Sequence, residues 1–166
     1  QLLSPEQLRP AEPPGDGYDL REEAPCAVAR YRALYDEVGR AYHWRDRTRW
    51  SDEELATYLA RGDVSVWVLR HAGRPAGFFE LARHEDRSVE IAYFGLVQRF
   101  HGKGLGKFLL TRACEQAWQL EATRVWLHTC TLDGAAAMPN CLARGLVPYR
   151  TEQLQEELPN APPLPG

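Results

Sequence analysis

Val97-Gln98-Arg99-Phe100-His101-Gly102-Lys103-Gly104-Leu105-Gly106-Lys107-Phe108-Leu109-Leu110 is the stretch whose reading decides the fold. An apolar run from Ile91 to Val97 enters it with strand character, and three glycines at alternate positions turn the chain. Leu105, Phe108, Leu109 and Ala113 then recur at helical spacing. The reading is strand, glycine loop, helix N-terminus. Such a helix start leaves about four N–H groups without intrahelical partners, and the helix dipole adds positive potential there. Glycine removes the Cβ atoms that would hold an anion off and permits positive φ. Arg99, Lys103 and Lys107 add full charges. Together these features describe a cradle for a phosphate or pyrophosphate; the plain alternative is a glycine-rich turn with solvated basic residues.

Two common phosphate loops are excluded by spacing. A Walker A loop ending at Gly106-Lys107 would put its first glycine on His101, and Phe108 stands where magnesium needs a hydroxyl. A dinucleotide fingerprint beginning at Gly102 would need glycine where Lys107 sits, and no acidic residue lies near position 124 for the ribose. The segment Arg99-Phe100-His101-Gly102-Lys103-Gly104 instead resembles the acyl-coenzyme A loop of the GNAT superfamily of N-acetyltransferases, whose pattern is Gln/Arg-x-x-Gly-x-Gly/Ala.

Outward from the loop, the order of elements agrees with that resemblance. Tyr18–Glu22 reads as a first strand, and a helix follows Pro25 with Ala27, Tyr31, Leu34 and Val38 on one face and Gly39 as C-cap. Ser51 and Glu54 form a capping box for a second helix. Val64–Leu69, Ala76–Ala82 and Ser88–Val97 read as a three-strand meander. After the loop helix, Arg124–Cys130 is a strand, Ala136–Arg144 a short helix, and Pro148–Glu152 a last strand. The resemblance implies an α+β fold, with a mixed, mostly antiparallel central sheet of about six or seven strands flanked by about four helices. Residues 1–17 and 153–166, rich in proline and glycine, read as an irregular N-terminal extension and a C-terminal tail around one domain at 18–152.

Composition narrows the partners. The 166 residues carry 20 basic against 23 acidic side chains, a net charge of −3, which speaks against binding nucleic acid or a membrane surface through bulk charge. No apolar run of about 18 residues is present for a membrane span. Four widely spaced cysteines (Cys26, Cys114, Cys130, Cys141) offer no zinc pattern and read as reduced thiols, so no metal and a cytoplasmic location are expected.

Acyl transfer to an amine needs a proton acceptor near pH 7. Glu90, on the strand that feeds the loop, resembles the base glutamate of some GNAT enzymes. By the same resemblance, Phe94, Gly95 and Leu96 would bind thioester and pantetheine through their main chain, and coenzyme A would lie between this strand and Arg124–Cys130. The pyrophosphate would rest on Arg99, Phe100, His101, Gly102, Lys103, Gly104, Leu105, Gly106 and Lys107.

Many GNAT enzymes place a general-acid tyrosine four residues before the glycine that ends the last helix; here Cys141 occupies that position before Gly145. A weak general acid, an acyl-accepting nucleophile and a buried filler are its three readings. The asparagine often found seven residues earlier falls on Gly134, leaving Asp133 or Asn140 as substitutes.

Trp44 and Arg45, in the aromatic and arginine-rich Arg40–Trp50, and His128 are candidate acceptor-site residues; arginines there would pair a substrate carboxylate. The resemblance implies an N-acetyltransferase that uses acetyl-coenzyme A on a small-molecule or peptide amine, in a family where homodimers are common. The loss of the tyrosine gives the alternative, a non-catalytic acyl-coenzyme A binding or sensing module.

Overall fold

The structure is a computed structural model and describes residues 1–153. Five strands form one sheet in the order β1 (Tyr18–Glu22), β2 (Val64–His71), β3 (Arg74–Arg83), β4 (Ser88–Leu96) and β5 (Arg124–Trp126). The first four are antiparallel, and β5 joins β4 in parallel. The helices are α1 (Val28–Gly39), α2 (Asp52–Leu59), α3 (Leu105–Gln119) and α4 (Ala137–Ala143). The α+β meander with four helices is as the sequence indicates. No helix among the described residues is long and apolar enough to cross a membrane.

Alternation on β3 sorts the layers. Phe78 meets Tyr31 of α1 edge-on, with ring centroids 6.2 Å apart, while a Cβ on Gly77 would meet Leu109 of α3 at 3.1 Å. Helices α1 and α2 therefore cover one face and α3 the other. The capping box forms as read: Ser51 Oγ accepts from Glu54 N at 3.1 Å, and Glu54 Oε2 accepts from Ser51 N at 2.7 Å.

Gly39 differs from its expected role. It is right-handed (φ −82°), the chain continues into a 3₁₀ turn at Arg40–Tyr42, and the left-handed residue is His43. What requires glycine is packing: a Cβ there would lie 2.5 Å from the Trp44 indole.

The sheet has five strands among the described residues, not six or seven. β3 pairs Glu80 with Tyr93 but Leu81 with Ile91, so Ala92 is an extra residue in β4, and such a bulge bends its strand. β5 follows β4 only from Ser88↔Arg124 to Glu90↔Trp126. Residues 127–130 then leave the sheet into a turn in which Asp133 Oδ2 accepts from Cys130 N at 2.8 Å. Pro148–Glu152 forms no strand.

The outer edge of β5 is taken by the N-terminal segment. Leu2, fully buried, exchanges main-chain hydrogen bonds with Val125 at 2.8 and 3.0 Å, and Gln1 does so with Val147 at 2.7 and 2.9 Å. Residues 1–17 hold no helix or strand beyond a 3₁₀ turn at Pro5–Gln7 and this bridge, yet they are tied to the domain. The 154–166 part of the expected tail lies outside the described residues.

Candidate active site

The bulge and the short β4–β5 ladder create the site. Beyond Glu90 and Trp126 the two strands part, leaving the β5-facing edge of β4 without a strand partner from Ile91 to Leu96. Glu90 stands at the fork. Its side chain is 16% exposed, with His84 Nε2 at 3.0 Å from one carboxylate oxygen and His128 Nδ1 at 3.5 Å from the other. Burial pushes the Glu90 carboxyl up, but the hydrogen bonds and charges of His128 and His84 outweigh it, and the net shift is downward. His128 moves up in turn, mainly through its bond to Glu90. The structure thus brings Glu90 and His128, two separate candidates in the sequence, to one place and adds His84.

A cleft of about 280 Å³ opens over these groups, lined also by Arg47, Tyr58 and Tyr93. Of the arginines in Arg40–Trp50, the one that lines it is Arg47, two residues beyond Arg45, whose carbonyl instead anchors Thr48. Trp44 packs on Gly39 and against Tyr93 (centroids 5.0 Å) and Tyr35 (5.3 Å), so its ring covers the core edge rather than lining the cleft.

Behind the cleft wall lies a polar network that the sequence reading missed. Glu80 of β3 is 0% exposed and accepts hydrogen bonds from Tyr31, from Tyr58 at 2.5 Å and from Arg47 Nη2 at 2.9 Å. The Arg47 guanidinium lies over Trp50 (4.1 Å), Tyr58 (4.3 Å) and Tyr93 (5.1 Å). Burial, then the Glu80 carboxylate, raises both tyrosine hydroxyls well above their ordinary range, so they donate as neutral groups. The available signal was one charged residue inside the apolar run Ala76–Ala82, since an acidic side chain is rarely buried unless paired.

At the other end of β4 the glycine loop has the expected shape. Gly102 and Gly104 have φ of +72° and +75°, and a Cβ on either would face open space. Gly104 is the N-cap of α3, and no side chain caps that first turn, so its N–H groups are free for an anion. Gly106 is different: a Cβ there would make only ordinary contacts, with Leu96 at 3.7 Å and Asn140 at 3.8 Å. Asn140 Nδ2 donates to the Gly106 carbonyl at 3.0 Å, tying α4 to the start of α3.

The loop's charged side chains are partly committed elsewhere. Arg99 donates to Glu37 at 2.9 Å and to the Pro75 carbonyl at 2.8 Å, and Lys103 Nζ lies 5.5 Å from the Phe100 ring centroid. His101 Nε2 donates to the Leu96 carbonyl at 3.0 Å, while Gly95 makes room for Val38, which a Cβ would meet at 2.4 Å. Phe100 and Leu105 are buried; Lys107 is exposed and Phe94 half-buried. The cradle is consequently a main-chain one, and its geometry suits a phosphate or pyrophosphate without drawing on Arg99.

Cys141 is buried, and burial pushes its thiol up to about 11. It is a neutral thiol near pH 7. Among the described residues no group of three or more metal-ligating side chains occurs.

The sequence pattern of the Acetyltransferase (GNAT) family matches residues 31–141. An uncharacterized N-acetyltransferase of Mycobacterium tuberculosis and one of Mycobacterium bovis are each 34% identical over 77 residues, 46% of this chain and 49% of theirs. The chain thus spans about half the length of these curated relatives. In three dimensions it is similar to an aminoglycoside acetyltransferase from an uncultured soil metagenomic sample, in complex with sisomicin, with a TM-score of 0.68, 12% identity and coverage of 86% of this chain and 97% of that one. An aminoglycoside N-acetyltransferase in complex with CoA gives a TM-score of 0.64 at 13% identity, covering 86% and 96%. With the family pattern extending over more than half of its length, from α1 through the glycine loop to α4, the chain belongs to the GNAT acetyltransferase family.

Proposed function

We propose that this chain is an N-acetyltransferase that moves an acetyl group from acetyl-coenzyme A to a primary amine by direct attack in a ternary complex. The observation that carries the proposal is the placement of Glu90 at the fork of β4 and β5, on the same strand that leads into the uncapped start of α3. When bound, acetyl-coenzyme A supplies the activated acyl group. The chain supplies the rest: the α3 amides and Gly102–Gly104 hold the pyrophosphate, and the open edge of β4 aligns the acyl arm. Glu90 takes a proton from the acceptor ammonium, and His128, 73% exposed, passes it to solvent. Overall one C–N bond forms and one C–S bond breaks; one ammonium proton leaves through Glu90 and a second ends on the released thiol.

Acetyl-coenzyme A at 100 times its dissociation constant should stabilise the fold by about 2.7 kcal/mol. At about 2–4 °C per kcal/mol the midpoint rises by about 5–10 °C. Gly104→Glu, which puts a carboxylate on a +75° residue in the cradle, abolishes the shift. Release of free coenzyme A thiol on adding amines then separates the enzyme from the binding module: a thermal shift with no release for any amine would sink the catalytic reading.

Cys141 acts in this scheme as packing. Cys141→Ala is expected to keep kcat within about twofold, whereas a hundredfold loss would restore it as acid or nucleophile.

A further inference from the structure

The acceptor end of the site carries a buried cation whose hydrogen bonding is incomplete. Arg47 is 13% exposed, and of its five N–H donors only one, on Nη2, has a partner among the described residues, the Glu80 carboxylate. Its Nε is buried with no partner at all. Glu80 already accepts three hydrogen bonds, from Arg47, Tyr31 and Tyr58, which leaves its carboxylate at most one lone pair against four remaining Arg47 donors. Arg61 and Arg83 also line the cleft; Arg61 is paired with Asp63, and Arg83 has no carboxylate partner within 4.0 Å among the described residues. Against these stands a single acidic side chain facing the cleft, Glu90, already shared by two histidines.

With Nε out of reach of the cleft, the fork left to Arg47 is Nη1 with the second N–H of Nη2, and such a pair matches a planar carboxylate, gripping it with two parallel bonds. The register places this anchor close to the base. Arg47 binds Glu80, and Glu90 pairs with Ala82, two residues along β3, a rise of about 7 Å. A cleft of about 280 Å³ lies at the small end of ligand sites.

Resting on the acetyltransferase reading, we infer that the acceptor is a small amine that itself bears a carboxylate, of the amino-acid or dipeptide class, with the carboxylate on Arg47 and the amine at Glu90. A polycationic amine such as sisomicin would meet arginines where it needs acids.

The test compares glycylglycine and a set of free amino acids with their C-terminal amides, and with sisomicin, by thiol release from acetyl-coenzyme A. The free acids should exceed their amides at least tenfold in kcat/KM, chiefly through KM, and Arg47→Lys should reduce that preference to below about threefold by losing the bidentate fork. Amides or sisomicin turning over as well as the acids would overturn the inference while leaving the acetyltransferase standing. Calorimetry on coenzyme A-loaded wild-type protein gives a readout independent of turnover. Glycylglycine bound at least tenfold more tightly than glycylglycinamide supports the carboxylate site even if no amine is acetylated; equal or absent binding of both overturns it.

Discussion

Replacing Glu80 with alanine is expected to lower the unfolding free energy by about 3–5 kcal/mol, the usual cost of removing one partner from a buried ion pair. The reason is what stays behind. Arg47 would keep its charge in a wall of three aromatic rings with no counterion, and the Tyr31 and Tyr58 hydroxyls would both lose their acceptor. Against a total stability on the order of 5–15 kcal/mol this is a large fraction. Urea denaturation measures it directly through the midpoint at unchanged slope. Glu80→Gln keeps one carbonyl acceptor and should cost less than the alanine; a loss below about 1 kcal/mol for Glu80→Ala would show that the network contributes little.

Glu90→Gln is expected to reduce kcat by about 10²–10⁴-fold at neutral pH, the range that general base catalysis supplies. The same substitution has a signature that does not depend on turnover. His128 is raised above 6.5 mainly by its bond to Glu90, so its imidazole should titrate lower in the variant, as read from the ring protons by NMR. An unmoved His128 titration would mean that the pair does not form. In the wild type the Glu90 carboxyl is lowered below its ordinary 4.5, so its contribution to stability is present above that value and fades as pH falls through the folded-state pKa. For His128, raised, the contribution is present below 6.5 and fades as pH rises through the folded-state pKa. The pair therefore stabilises most between 4.5 and 6.5. The Glu90 base is already ionised at neutral pH, so its own titration lowers the rate only in acid.

The parts of the site legible in the sequence are those written in consecutive residues. Alternating glycines after an apolar strand announce the cradle and Ser51 and Glu54 announce α2, whereas Glu90 is singled out only by the resemblance of its strand to that of some GNAT enzymes. What was not legible comes from strand pairing. His84 and His128 lie on opposite sides of Glu90 in the chain, and only the β3–β4 turn and the β4–β5 fork bring them to one carboxylate. The Ala92 bulge has no residue signature, yet it ends the β5 ladder at Trp126 and so accounts for the shortened strand and the open edge. Arg45 and Arg47 are indistinguishable by composition; the 3₁₀ turn at Asp46–Arg49 turns the second toward Glu80.

Leu2 leaves one more consequence for how copies of this chain can meet. Open strand edges are templates on which a second sheet can grow. At the β5 end, Val125 has already spent both its donor and its acceptor on Leu2. Sheet-to-sheet association through β5 is thereby blocked, and at the opposite end of the sheet β1 presents the Asp19–Arg21 ion pair and Glu22, charges of a kind that resist strand addition.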